Sequence, residues 1–312
     1  MLRILATTIL AAAAFADEPL YDLYGQVRPP GPASISLFGA DKPFDAAAST
    51  LDGRFRFHKL LPGTYTVAVF VPACGEARRT IEVGPGTAGS KRRVSVSIDL
   101  APGDFAPLEP VRQHTVSTRV LAIPARAYRD YDEARSALSR RATATAVSHL
   151  ERAVALAPQF AAAWNELGTL AYQTQDFTRA EECFLRALDQ DPHSYEPLVN
   201  LGGVEVTLRK TERALDYNIQ AVLARPNDAL ANSQLGMAYF QAGNDDLALR
   251  HLATARRLDP AHFSHPQLLM AEIHLRRKDR PAAAADLEDF LEHHPDWPHA
   301  AEMRQAITRL RQ

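Results

Sequence analysis

Cysteine is nearly absent from this sequence: Cys74 and Cys183 are the whole supply in 312 residues. Two thiols so far apart in the chain exclude a disulfide framework. Cys183 lies among apolar helix positions and reads as a small buried hydrophobe, Cys74 lies in the turn "VPACGEA" and reads as exposed, and no bridge between them is expected. An excess of one charge is also missing. The net charge is −2, with 11 basic and 9 acidic residues up to position 100 and 24 basic and 28 acidic beyond it, so neither part is a polycation and nucleic acid is excluded as a partner. The chain has no G-x-S-x-G, no Walker-type loop and no nucleophilic cysteine with an identified histidine partner. It offers no catalytic residues and calls for no cofactor.

Long apolar runs are confined to the start, "MLRILATTILAAAAFADEPL". Arg3, the apolar run from Ile4 to Phe15 and Ala14-Phe15-Ala16 ahead of Asp17 have the order of a signal peptide over residues 1–16, with cleavage predicted after Ala16. The run is too short to span a bilayer stably and no later stretch reaches about 18 apolar residues. The expected mature chain has no stable membrane span and is exported, in a bacterial periplasmic or secreted setting.

Residues 17–100 carry a period of two, broken by glycine and proline. "YDLYGQVR", "ASISLFG", "GRFRFHK", "TYTVAVFV", "ARRTIEV" and "RRVSVSIDL" read as strands of a small antiparallel β-sandwich of six or seven strands. In "STLDGRFRFHKLLPGTYTVAVFV", Asp52-Gly53 predicts a tight turn, Phe55 and Phe57 point to one face, and Leu61-Pro62-Gly63 turns the chain into the next strand. With Gly25-Gln26-Val27 and with Leu60, Pro62, Gly63 and Tyr65, this segment resembles the carboxypeptidase regulatory-like, or prealbumin-like, sandwich. That resemblance implies a non-catalytic accessory module outside the cytoplasm, which either spaces the next domain or binds carbohydrate or protein. Residues 101–123 follow as a linker in which Pro102, Pro107 and Pro110 argue for extended chain, with a short strand possible in "VSTRVLAI".

The second half repeats every 34 residues. Pro158, Pro192, Pro226 and Pro260 keep that spacing, as do Gly168, Gly202 and Gly236, and Ala180, Ala214 and Ala248. In "AAAWNELGTLAYQTQDFTRAEECFLRALDQDPHS", the positions of Trp164, Leu167, Gly168, Ala180, Phe184, Ala187 and Pro192 resemble the tetratricopeptide repeat, a pair of antiparallel helices. Later units begin at Tyr195, Ala229 and Phe263. A degenerate first unit has Ala134 in place of glycine. The irregular last unit has Met270 there, with one residue inserted near Arg277-Lys278 because Pro295 lies 35 residues after Pro260. The domain is thus expected over 124–312, with a degenerate unit, three regular units, an irregular unit and an end helix. The overall fold class is multidomain β plus α, a sandwich followed by an α-α superhelix.

The resemblance implies a concave face on the first helices that takes a protein or peptide partner. Helical spacing from Trp164 nominates Asn165, Thr169, Tyr172 and Gln173, then Glu196, Asn200 and Gly203, then Ser233, Gln234, Met237, Phe240 and Gln241. Their amides suit an extended backbone and Tyr172, Met237 and Phe240 suit apolar anchors. Tyr172 and Phe240 carry a second reading, as packing on the adjacent helix. Seven of the eleven histidines follow Arg250, and they read as solvated helix-end side chains, not as metal ligands. Carboxylates in the helices read as solvated faces. The expected function is therefore an exported, non-enzymatic scaffold. Its rivals are an envelope adaptor whose sandwich binds carbohydrate and an accessory subunit of an envelope hydrolase.

Overall fold

The computed structural model describes residues 18–40, 42–72, 74–105, 121–192 and 194–312. The expected leader and most of the strand expected in "VSTRVLAI" lie outside the described residues. From Tyr21 the alternating segments form seven strands: β1 (Tyr21–Arg28), β2 (Ala33–Gly39), β3 (Asp45–Thr50), β4 (Arg54–Leu60), β5 (Gly63–Val71), β6 (Gly75–Val83) and β7 (Arg93–Asp99). Two sheets result, ordered β4-β1-β7 and β3-β2-β5-β6. All neighbours run antiparallel except β1 and β7, which pair in parallel from Asp22 and Arg93 to Arg28 and Asp99. Strand β7 leaves one sheet and joins the other beside β1, a crossover that strand periodicity does not encode.

Alternation decides what is buried between the sheets. Leu23, Ile35, Leu37, Leu60, Val67 and Val69 are fully enclosed there, with Phe55 and Phe57 side by side as expected. Each such side chain contributes about 1.5–3 kcal/mol by leaving water. Gly53 takes a left-handed φ of +80° in the turn before β4, and its carbonyl accepts from the Val27 amide at 2.8 Å. Tyr65 fixes the next turn, donating its hydroxyl to the Leu61 carbonyl at 2.9 Å. Strand β3, "DAAAST", has no pronounced apolar alternation and was not among the expected strands. It forms an edge of its sheet, where small residues suffice.

Among the described residues, eleven α-helices follow as five antiparallel pairs and an end helix. They are α1 (Ala125–Ser139), α2 (Thr143–Leu156), α3 (Ala161–Gln173), α4 (Phe177–Gln190), α5 (Tyr195–Thr207), α6 (Thr211–Ala224), α7 (Ala229–Gln241), α8 (Asp245–Leu258), α9 (Pro266–Arg276), α10 (Arg280–His293) and α11 (Ala300–Leu310). Asp176, Asn244 and Asp279 cap the second helices of three units by accepting from the amides of Arg179, Leu247 and Ala282. The repeated glycine has a steric cause. A Cβ on Gly168 would lie 2.6 Å from the Phe184 ring and one on Gly236 2.7 Å from Leu252, so helices of a pair meet where only glycine fits. Glycine there costs about 1 kcal/mol of helix propensity relative to alanine, which this contact offsets.

The last unit corrects the expected register. Asn232 donates to the Pro226 carbonyl and Gln267 makes the same bond to Pro260, so the extra residue falls between Pro260 and Gln267. His265 adopts a left-handed φ of 51° within that turn. The residue in the glycine register is therefore Ala271, which is buried, and Met270 instead packs with Ala248, Leu252 and Ile273. An extra residue in a turn is absorbed by the backbone, whereas one inside a helix would rotate its buried face.

Both cysteines are free, Cys74 exposed and Cys183 buried. Burial pushes the Cys183 thiol up to about 11. No helix among the described residues is long and apolar enough to cross a membrane.

Candidate functional site

The face built from the first helices is not an empty groove, because the chain's own sandwich lies along it. Every unit sends a polar group across. Arg135 on α1 pairs with Asp45 on β3 at 2.9 Å, Gln173 on α3 donates to the Gly39 carbonyl at 3.1 Å, and Glu196 on α5 lies 3.7 Å from Arg78 on β6. Before α7, Asn227 donates at 2.8 Å to the carbonyl of Gly103, in the turn just beyond the sandwich, and before α9 the Asp259 carboxylate accepts the Thr80 amide at 2.9 Å. The row ends where His294 Nδ1 lies 2.5 Å from Glu82 Oε1 and Asp296 accepts the Gly86 amide at 2.6 Å. Four of these contacts engage strand or loop backbone, and the one to the Thr80 amide is buried, where a hydrogen bond left unmade costs about 1–3 kcal/mol.

Between the two surfaces remains a cavity of about 330 Å³. The sandwich wall includes Phe38, Phe44 and Asp45, and the helical wall rises from α3, α5 and α7. Of the residues nominated from sequence, Asn165, Thr169, Tyr172, Gln173, Asn200 and Gln234 all line it, as do Glu196 and Gly203. Asn200 donates to the Asn165 side chain at 3.1 Å, joining the first helices of two units. Tyr172 packs on the adjacent helix and also remains exposed. Its ring packs on Phe177 at 5.4 Å, its hydroxyl lies 3.3 Å from that of Thr207 in the next unit, and it remains 40% exposed at the cavity rim.

Four nominated residues lie elsewhere. Met237 packs with Val206, Ala214 and Ala238; Phe240 packs with Leu252, Met270 and Ile273 beneath the Arg276 guanidinium; Gln241 donates to the Val206 carbonyl at 2.9 Å. These side chains join neighbouring units, so the packing reading holds for Phe240. Ser233 also turns away and bonds Ser264 at 2.6 Å.

Charge in the cavity was not legible from helix patterns. Seven acidic side chains line it against three arginines, Arg78, Arg79 and Arg225. Each arginine is already engaged: Arg78 with Glu76 at 2.7 Å, Arg79 with Asp104 at 2.9 Å, Arg225 with Glu196 at 3.3 Å. Burial, reinforced by the Asp45 charge and only partly relieved by Arg135, pushes the Glu166 carboxyl up to about 7. Burial likewise raises Asp259 to about 6, against the lowering effect of the Thr80 bonds. Both had read as solvated helix carboxylates. Only contact with the sandwich removes their water.

The expectation of solvated histidines is overturned in the last unit. His262 and His294 are buried, and the His265 ring lies 4.6 Å from His294 and 5.4 Å from Trp297. Burial, helped by the His294 charge, depresses His262 and His265 to about 3, so both imidazoles are neutral. The inserted residue and the docked sandwich together close this corner from solvent.

Comparisons with known proteins agree with the repeat. Residues 131–195 and 200–262 match the family model described as tetratricopeptide repeat. The human Cell division cycle protein 16 homolog is 33% identical over 113 residues, covering 33% of this chain and 18% of its own. Human Tetratricopeptide repeat protein 5 is 29% identical over 182 residues, covering 52% of this chain and 41% of its own. The chain thus spans well under half the length of the curated relatives it matches. Among solved structures, MamA from residue 41 to its end, from Desulfovibrio magneticus RS-1, superimposes with a TM-score of 0.50 at 21% identity, covering 57% of this chain and 99% of that one. At that identity the likeness concerns the fold. Residues 131–262 of this chain thus carry tetratricopeptide repeats, within a longer region of stacked helix pairs that follows a β-sandwich.

Proposed function

We propose that this protein is a non-catalytic interaction scaffold whose repeats recognise polypeptide on the face of their first helices, with its own sandwich as the resident occupant. The observation that supports this is the chemistry of the occupancy. Gln173, Asn227 and Asp259 bond backbone carbonyls and an amide, the groups that every polypeptide presents. Asn165, Asn200 and Tyr172 continue that surface at the cavity rim, where an incoming segment meets amides and one aromatic edge. The repeat match favours the same reading, since such repeats bind partners there. We further read the sandwich as a carboxypeptidase regulatory-like module on its Asp52-Gly53-x-Phe55-x-Phe57 and Leu60-x-Pro62-Gly63-x-Tyr65 stretches, and the setting as outside the cytoplasm. N-terminal sequencing of the mature chain checks the setting: a start at Asp17 is expected, and a chain that keeps Met1 to Ala16 refutes it.

Selection of a displayed random-peptide library on the full chain tests the scaffold. Enriched peptides should share a motif and lose binding to Asn200→Ala while melting stays within about 1 kcal/mol of the parent, the scale of one part-exposed hydrogen bond. No enrichment, or peptides indifferent to Asn200→Ala and to Tyr172→Ala, would overturn the reading.

A further inference from the structure

We propose that the cavity between the sandwich and helices α3, α5 and α7 is a binding site for an organic cation, an ammonium or guanidinium group on an apolar stem, held by Asp45, Glu166 and Gln234. The inference goes beyond the scaffold reading and stands without it, because a free amine fills the cavity with no protein partner present.

The charge balance is the first argument. Among the described lining residues, Glu166, Asp228 and Asp259 have no cation within salt-bridge distance, while every lining arginine is already paired. Asp228 caps α7 through the Ala231 amide and Asp259 holds the Thr80 amide, so both retain a structural bond. The Glu166 carboxyl makes no hydrogen bond among the described residues. Arg135 is bonded to Asp45 and acts on Glu166 only at longer range, so one guanidinium faces two carboxylates.

The second argument is independent of charge. Asp45 and Gln234 are each only 7% exposed, both line the cavity, and each has an oxygen with no hydrogen-bond partner: Asp45 Oδ1 and Gln234 Oε1. An unpaired buried acceptor costs about 1–3 kcal/mol, a cost that a bound donor removes. Both of these oxygens are acceptors, and the Thr80 hydroxyl, the other unpartnered buried group on the lining, can accept as well as donate, so a bound donor satisfies all of them. The apolar part of the wall, Phe38, Phe44, Leu138 and Leu170, suits an alkyl stem. The volume falls in the range of about 300–1,000 Å³ typical of small-molecule sites. An anion is excluded by the same inventory, since no lining arginine is free to receive it.

The state of Glu166 adds a signature. The groups facing it are Asp45 from β3, and Arg135 and Tyr131 from α1. With its carboxyl near 7, part of the population is protonated at neutral pH, and an arriving cation displaces that proton.

Calorimetric titration of the full chain at pH 7 tests the site with spermidine, with an acetylated, amidated Ala-Ala-Lys-Ala-Ala peptide and with the same peptide carrying norleucine for lysine. Spermidine or the lysine peptide should bind, with proton release visible as a dependence of the heat on buffer ionisation enthalpy, and norleucine should not. Glu166→Gln should weaken binding by about tenfold or more, the scale of a lost charge-assisted contact. Gln234→Met should weaken it several-fold, with the melting temperature of neither variant lowered below the parent by more than a degree or two. Binding of spermidine alone assigns the site to free amines, and binding of the lysine peptide alone assigns it to a basic side chain. No heat with either cation at millimolar concentration, equal binding of norleucine, or affinity unchanged in Glu166→Gln each overturns the proposal.

Discussion

The sandwich and the repeat array bury their apolar residues in opposite ways. The sandwich has one continuous core that reaches from Tyr21 on β1 to Ile98 on β7 and Leu100 beyond it. The array has six successive clusters, each shared by a few adjacent helices. Strands distant in sequence must all be in place before the first core exists, whereas each helix pair needs only its neighbours. The sandwich should therefore lose order as a unit, and the array in segments.

The largest effect expected from breaking that contrast is at Phe184, which is fully buried beneath Gly168. Phe184→Ala should cost about 3–5 kcal/mol, and hydrogen exchange should show protection lost over α3 to α6 while α9 to α11 keep theirs. Leu23→Ala in the sandwich should cost about 2–5 kcal/mol and lower protection in all seven strands together. Uniform loss throughout the array in the first variant, or loss limited to β1 and its neighbours in the second, would remove the contrast.

Between the two regions the effects are smaller. Asp259→Ala leaves the Thr80 amide without its acceptor and should cost about 1–3 kcal/mol at the interface, read as faster exchange at Thr80 and easier proteolysis of the segment after β7. Unchanged exchange at Thr80 would show that Asp259 does not hold the sandwich.

The smallest effect depends on pH and has a definite sign. The Glu166 carboxyl is raised from 4.5 to about 7, so the folded state binds a proton that the unfolded state lacks between those values, and its ionisation costs stability as pH rises through that window. Glu166→Gln should be more stable than the parent at pH 8, by about 1 kcal/mol once solvent at the cavity rim screens the charge, and equal to it at pH 4. That is a melting shift of about 2–4 °C. The depressed histidines act in the other direction. His262 and His265 stay neutral in the fold while the unfolded chain protonates below 6.5, so they withdraw stability as pH falls from there towards 3. Melting curves from pH 4 to 8 for the parent and Glu166→Gln separate the two contributions, and a variant no more stable than the parent at pH 8 would show that Glu166 is well solvated.

Much of the architecture is legible in the sequence. The DG turn, the Phe55 and Phe57 face and the 34-residue spacing of glycine and alanine each follow from contacts within a few tens of residues, and each leaves a period. Eight of the twelve nominated groove residues meet at one cavity for the same reason, since a helix face is fixed by spacing. What spacing missed has a common cause. Met237, Phe240 and Gln241 share the register of the others, but contacts with adjoining units take them out of the cavity. The inserted residue left its mark only in the Pro260–Pro295 interval, which does not say whether a turn or a helix holds it.

A β-sandwich and a stack of helix pairs are already written in the residue order, because alternation and repeat are local and each element's buried face follows its own period. Docking alone lays the sandwich on the first helices, brings Asp45 beside Glu166 and takes the water from His262. Those pairings join surfaces far apart in the chain, and complementarity between two finished surfaces has no period to read.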